Sequence, residues 1–401
     1  MFALRQVFER RLRHGKEFGC LFVEFSAAFD SIHRDSLWAA MSALGIPKKI
    51  ISILKFLYNV SRSSVQVYGD LSRSFEIKTG VKQGCIISPC LFNIILDWVL
   101  AKAMRGCKGV MVSNDLSVTD LGYADDLAYL GESEADIQKF LSNFDIYGKM
   151  IGLQISIKKT KLMSNLNATL YLNNQQIETV DSFVYLGSTF EMNQLRCSKD
   201  INTRIGKASS AFGRLKSSLF TRSDISLATK MRVFNSSIIP VLLYGAESWI
   251  LGVEELRKLE VTQMVWLRSI LNVTLYDRLR NEEIRRRCCC QPDIASMIRK
   301  CRLRWFGHVC RMEDCRLPKK IFNSFRPDGW KCPNTAPKLS WKQHVLKDLA
   351  IGGLTSRHFR EPLTYAFDMA QERAQWRGFI RDITFASNSY EDGSLLYKCK
   401  F

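Results

Sequence analysis

The stretch that most constrains this chain is Leu121-Gly122-Tyr123-Ala124-Asp125-Asp126-Leu127-Ala128-Tyr129-Leu130. Two adjacent acids stand between two short apolar runs. The pattern predicts a β-hairpin with the carboxylates at its tip. Like charges at that separation repel, and each disfavours ionisation of the other. A divalent cation is the usual neutraliser, and hard carboxylate oxygens suit Mg²⁺. The competing reading is a solvated Asp-Asp turn, because Asp is also a common turn residue.

The charge balance narrows the choice of partner. The chain's 401 residues hold 58 Lys and Arg against 39 Asp and Glu, a net charge of +19. Such a surplus points to a polyanion, nucleic acid or membrane surface. A hydrophobic content of 46% excludes a disordered chain. The length suits about two or three domains. No run reaches the roughly 18 apolar residues of a membrane span. Residues 85–103 are interrupted by Pro89 and Asp97, and residues 238–251 by Pro240 and Glu247. The 13 cysteines follow no disulfide framework, and the first residues lack the apolar segment of a secretory signal. These features predict reduced thiols in a cytoplasmic or nuclear protein without membrane attachment.

Periodicity then predicts the elements. Leu4, Val7, Phe8 and Leu12 suit an amphipathic helix within residues 1–19. Residues 20–25 read as a buried strand whose single charge is Glu24. A helix near 35–44 is stopped by Gly45 and Pro47. Another near 48–60 is expected to turn Ile50, Ile53, Leu54 and Leu57 inward. A hairpin around Gly69-Asp70 and a glycine-punctuated loop over 79–84 lead to a helix opened by Ser88-Pro89. Beyond the acidic hairpin, Ser133 caps a helix whose face is Ile137, Phe140, Leu141 and Phe144. Leu153, Ile155 and Ile157 alternate as a strand, and 177–190 read as further strand. The first half is thus α+β, an antiparallel sheet with packed helices. Residues 193–285 read as helical and basic. Residues 286–401 carry many Lys, Arg and Trp residues, with a loop expected around Pro327, Pro333 and Pro337.

A buried carboxylate such as Glu24 needs a partner, since burying an unpaired charge costs several kcal/mol, at least ~2. Either a lysine neutralises it, or it joins Asp125 and Asp126 around metal ions. The second arrangement is the one that two-metal phosphoryl transfer requires.

Here the motifs resemble a known family. Tyr123-Ala124-Asp125-Asp126 resembles the catalytic hairpin of reverse transcriptases. Phe22-Val23-Glu24-Phe25-Ser26-Ala27-Ala28-Phe29-Asp30 is similar to the first catalytic strand in LINE-type retrotransposons, those without long terminal repeats. Gly80-Val81-Lys82-Gln83-Gly84, with Ser88-Pro89 following, resembles the loop that contacts template and nucleotide. Gly152-Leu153-Gln154 through Lys161 resembles the next motif of the polymerase palm, and Tyr185-Leu186-Gly187 the primer-grip turn. Tyr244-Gly245-Ala246-Glu247 and Arg304-Trp305-Phe306-Gly307-His308 are similar to the downstream part of such elements.

The resemblance implies an RNA-directed DNA polymerase acting on an RNA template, a DNA primer and deoxynucleoside triphosphates. It implies a right-hand palm over 20–192, a helical thumb over 193–285 and a basic C-terminal region over 286–401. Residues 1–19 would be a fingers remnant, making the chain a truncated copy. Glu24, Asp125 and Asp126 would hold Mg²⁺, or Mn²⁺ in its place. Lys159 would serve the leaving pyrophosphate. Phe29 would crowd the sugar 2′ position, and Gln83 and Gly84 would meet nucleotide and template. Lys199, Arg204, Lys207, Arg214 and Lys216 would touch phosphates. The family has Asp where this chain has Glu24. The extra methylene shifts the carboxylate by about an ångström, which can cost on the order of 10²-fold in rate. The alternative is therefore a catalytically dead, nucleic-acid-binding remnant of such an element. A zinc site among Cys288, Cys289, Cys290, Cys301, His308, Cys310 and Cys315 matches no ligand spacing.

Overall fold

The computed structural model describes residues 1–59, 61–331, 340–354 and 362–386. Pro333 and Pro337 of the expected loop lie outside these. The chain divides into two compact units, Lys16–Phe183 and Met1–Gly15 with Val184–Phe401.

The first unit is built on a five-stranded sheet. Its strands are β1 (Gly19–Val23), β2 (Asp120–Tyr123), β3 (Asp126–Gly131), β4 (Lys161–Ser164) and β5 (Glu178–Thr179), in the spatial order β5-β4-β1-β3-β2. All neighbours are antiparallel except β4 and β5. The central strand β1 reads Gly-Cys-Leu-Phe-Val because it is buried throughout. Leu21 and Val23 join a core with Leu127, Tyr129 and Leu162, against the helices Ser88–Ala103 and Glu134–Met150. Tyr129 stacks on Phe140 at 3.8 Å between ring centroids. On the opposite face Phe22 stacks on Phe183 at 4.2 Å.

Several local expectations are corrected. Glu24 and Phe25 lie beyond the end of β1, with Phe25 making an isolated bridge to Ile155. Residues 153–157 form no strand. Lys159 and Thr160 both donate backbone N–H bonds to the Ser156 carbonyl, so the chain turns there before β4 begins. The helix Lys48–Asn59 is apolar on most sides, and its buried face is Ile51, Leu54 and Tyr58. Ile50, Ile53 and Leu57, expected inward, are about half exposed, at 48%, 53% and 48%. Lys48, Ser52, Lys55 and Asn59 form one polar stripe, and the apolar arc opposite is wider than a single packing face, so periodicity alone does not choose the buried residues. The Ser133 cap is present: its hydroxyl accepts the Asp136 N–H.

The second unit is mainly helical, and the chain enters it along the hairpin strands Ser182–Tyr185 and Ser188–Glu191, joined by the Leu186-Gly187 turn. The helix Phe2–Arg13, read from sequence as a fingers remnant, belongs to this unit. Phe2 packs edge-on against Trp305 and Trp341. The expected boundary at residue 285 falls inside the helix Asn281–Arg287, and one core runs from Phe212 and Trp266 through Ile284 to Ile298. No helix among the described residues is long and apolar enough to cross a membrane. The described cysteines are free thiols.

A buried polar knot fixes the start of the Ser198–Leu215 helix. Asp200 is 1% exposed. It accepts from Arg5 at 2.6 Å, from the Trp249 indole at 3.0 Å and from the Thr189 backbone at 2.9 Å. Removing the carboxylate leaves Arg5 buried and unpaired. Asp200→Ala should therefore lower unfolding free energy by about 3–5 kcal/mol. Urea denaturation measures this, and a loss under about 1 kcal/mol would contradict the account.

Candidate active site

The β2–β3 register pairs Tyr123 with Asp126, which leaves a two-residue turn, Ala124-Asp125. Ala124 takes a left-handed φ of 54°. Turns with positive φ match the twist of paired strands, at a steric cost for a residue other than glycine. Asp125 is exposed at the tip, and Asp126, the first residue of β3, is half-buried.

The β1–β3 register supplies the third carboxylate. Phe22 faces Ala128 and Val23 faces Leu127. Continued by one residue, it sets Glu24 beside Asp126 on the same face of the sheet. The Glu24 backbone is held at both ends. Its N–H donates to the Thr160 hydroxyl at 3.2 Å, and its carbonyl accepts the Ser156 N–H at 2.8 Å. Burial, then the charge of Asp126, raise the Glu24 pKa, with Lys159 pulling the other way and Asp125 adding to the rise. Burial and then Asp125 raise that of Asp126. The structure thus brings Asp126, Lys159 and Asp125 within electrostatic reach of Glu24. No lysine or arginine closes an ion pair on these carboxylates among the described residues. The donor chemistry fits a divalent cation: hard oxygens, mutually repelling, with one nearby lysine as the opposing charge. The side chains are not drawn into a ready-made cage, since among the described residues no three Asp, Glu, His or Cys groups are close enough to hold a metal. Cys288 and Cys310 are buried in the apolar cores, where burial raises both thiols to about 12.

The remaining sequence-identified residues form a neighbouring group. Phe29 stacks on Phe92 at 4.7 Å. Its carbonyl accepts the Val81 N–H at 2.7 Å. The Gln83 amide donates to both carboxylate oxygens of Asp30, at 3.1 and 3.0 Å. Gly84 is exposed with φ of 80°. Arg34 organises this loop, and sequence reasoning missed it. Its guanidinium donates to the carbonyls of Gly80, Tyr58, Ile77 and Thr79. Thr160, fully buried, was also missed. Neither has a sequence signal, because both act through backbone atoms distant along the chain. Arg204, expected on a phosphate, is 6% exposed in the second unit. It donates to the Gly187 carbonyl and lies over the Tyr244 ring, whose hydroxyl donates to the Leu186 carbonyl.

With this geometry in view, comparison with known proteins is decisive. Residues 3–190 match the family described as reverse transcriptase (RNA-dependent DNA polymerase). This segment is a reverse transcriptase domain. Its relatives are non-long-terminal-repeat elements. A transposon-derived protein of Caenorhabditis elegans is 25% identical over 279 residues, 67% of this chain and 97% of that one. The Pol polyprotein of the R2 element of Popillia japonica is 25% identical over 194 residues, 45% of this chain and 32% of that one. The RNA-directed DNA polymerase of the mobile element jockey of Drosophila melanogaster is 25% identical over 274 residues, 65% and 29% of the two chains. The chain thus spans about a third of the length of these element-encoded polymerases. A telomerase from Candida tropicalis superposes loosely, at TM-score 0.38 and 12% identity, over 80% of this chain and 51% of that one.

Two glycines of the reverse transcriptase loop give a clean test of its packing. Gly80 and Gly84 have similar positive φ, 76° and 80°. A Cβ on Gly80 would lie 2.7 Å from backbone atoms of Phe29 and Asp30, whereas one on Gly84 would meet nothing within 4 Å. Gly84→Ala should cost about 1–2 kcal/mol of backbone strain, and Gly80→Ala clearly more. Equal midpoints in urea denaturation would refute the close approach of this loop to Phe29.

Proposed function

We propose that the chain is an RNA-directed DNA polymerase that extends a primer 3′-hydroxyl with deoxynucleoside triphosphates on an RNA template. The observation that carries this reading is the β1–β3 register, which sets Glu24 beside Asp126, with Asp125 in the adjoining turn and Lys159 in reach. Glu24, Asp125 and Asp126 would hold a divalent cation, Mg²⁺ or Mn²⁺. Two such ions, when bound, stabilise charge on the attacking and leaving oxygens of an in-line displacement.

The remaining steps belong to the chain's own groups. Lys159 is exposed. It can neutralise the leaving pyrophosphate or deliver a proton to it. Phe29 is braced from behind by Phe92, so its ring presents a fixed edge that crowds a ribose 2′-hydroxyl. Gly84 lacks a Cβ and lets nucleotide or template approach the backbone. Gln83, tied to Asp30, positions that loop. On this reading residues 20–192 serve as palm, 193–285 as thumb and 286–401 as a basic accessory region.

One observation favours a second reading, a non-catalytic nucleic-acid-binding remnant: Glu24 stands where the family has Asp, and its backbone is pinned at both ends. Primer extension on an RNA template with Mg²⁺ or Mn²⁺ separates the two. Extension by the native chain that falls to background in Asp125→Ala is the expected result. Glu24→Asp should raise the rate, by up to about 10²-fold. Silence in all three chains, with salt-sensitive RNA binding retained, would leave only the second reading.

A further inference from the structure

A cavity of about 250 Å³ opens in the second unit, far along the chain from the carboxylates, between the helix Phe2–Arg13 and a wall that includes Phe322, Arg326, Trp330 and Lys342. Its size lies just below the ~300 Å³ at which ligand pockets begin. Its wall carries Arg13, Arg326 and Lys342. None of these three forms an ion pair with a carboxylate among the described residues. Arg10 adds a fourth cation, fixed by its bonds to Ser324 at the end of the Leu317–Asn323 helix.

The one acid in the lining, Glu9, is hydrogen-bonded to other groups, while its charge also reaches Arg13 and Arg10. Glu9 is 6% exposed, and its oxygens accept from the Trp341 backbone at 3.3 Å and from Gln6 at 2.9 Å. Burial raises its pKa, which weakens it as a counter-charge. The excess of positive charge is felt by its neighbours. Burial, then the charges of Arg13, Arg326 and Arg10, lower the His14 pKa against an opposing backbone hydrogen bond. Burial and Arg10 lower that of Lys342.

The lining also carries aromatic rings, His14, Phe322 and Trp330. Trp330 is half-buried, lies 5.5 Å from His14 and carries the Arg11 guanidinium over its ring at 5.2 Å. An indole face beside clustered cations is the pairing that holds a base by stacking and its phosphate by charge. The geometry points to a nucleotide-binding site here, with a base against Trp330 and its phosphate among Arg13, Arg326 and Lys342. The site does not depend on the polymerase reading, since it shares no residue with the carboxylate cluster. Two sources carry the same chemistry, a free nucleotide and one unit of a single-stranded RNA.

Photocrosslinking of the full chain with 8-azidoadenosine monophosphate, mapped by mass spectrometry, tests the proposal. Label should appear on the peptides holding Arg13 and Trp330. It should fall about tenfold in Trp330→Ala and similarly in the double variant Arg13→Glu with Lys342→Glu. Trp330→Phe, which keeps an aromatic face, should retain it. Thermal melts followed by circular dichroism check that each variant folds, and Arg326→Glu, at an exposed position, replaces any that does not. Protection by unlabelled adenosine monophosphate at lower concentration than by a short single-stranded RNA assigns the site to free nucleotide, and the reverse order assigns it to a strand. Three results would overturn the site: label confined to other peptides, labelling unchanged in the folded variants, or inorganic phosphate protecting as well as the nucleotide does.

Discussion

The pairing of β1 with β3 is the constraint on which the first unit depends. Both strands are buried, so their apolar residues leave little freedom in how they register. A slip of one residue would turn Phe22 and Ala128 toward the helices and Leu21 and Tyr129 away from them. The same register extends past the apolar stretch and forces Glu24 against Asp126. Directly opposed like charges destabilise a strand pair by a few tenths to about 1 kcal/mol. Burial of Leu21, Phe22, Val23, Leu127 and Tyr129 offsets this many times over, at about 1.5–3 kcal/mol for each large side chain. The carboxylates are therefore held together by the core, not by each other.

How much of this was legible in the sequence follows the same division. The acidic hairpin was, because an Asp-Asp pair between short apolar runs has few folded solutions, and the Ser133 cap was, because capping is local. The family was legible because its motifs keep their order. What failed were features decided at a distance. Nothing near Leu153 reveals that Thr160 and Ser156 must turn to meet the Glu24 backbone. The Lys48–Asn59 helix offers apolar residues on several sides, so its buried stripe is chosen by what it packs against. The unit that takes in residues 1–15 was not legible for a related reason. The helix pattern was correct, but a pattern does not say which body buries it, and Arg5 finds its partner in Asp200.

The net charge also needs to be read through the fold. A chain with a charge of +19 invites every arginine to be counted as a nucleic-acid contact. Yet Arg5 is bound to Asp200, Arg302 to Asp348, Arg34 to four carbonyls and Arg204 to the Leu186-Gly187 turn. These guanidiniums act as internal struts, a role their several donors and permanent charge suit better than lysine would. Cations that meet solvent without an internal acceptor are the ones from which binding should be argued. Lys159, beside the clustered acids, and Arg326 and Lys342, near Trp330, are exposed and meet that description.

The lengthened carboxylate at Glu24 bears on how far such a site tolerates change. Its N–H and carbonyl are both tied into the segment before β4, so the backbone cannot retreat to make room for the added methylene. The adjustment must come from side-chain rotation, which adds a torsion to be frozen and moves the oxygens off the position a shorter Asp would give. Mg²⁺ demands near-octahedral geometry, and Mn²⁺ or a shifted water would absorb the misfit more readily. The two carboxylates of the hairpin have a different freedom, because Asp125 sits in a two-residue turn open to solvent. Glu24 is thus the carboxylate whose backbone is held at both ends, while Asp125 is exposed in its turn.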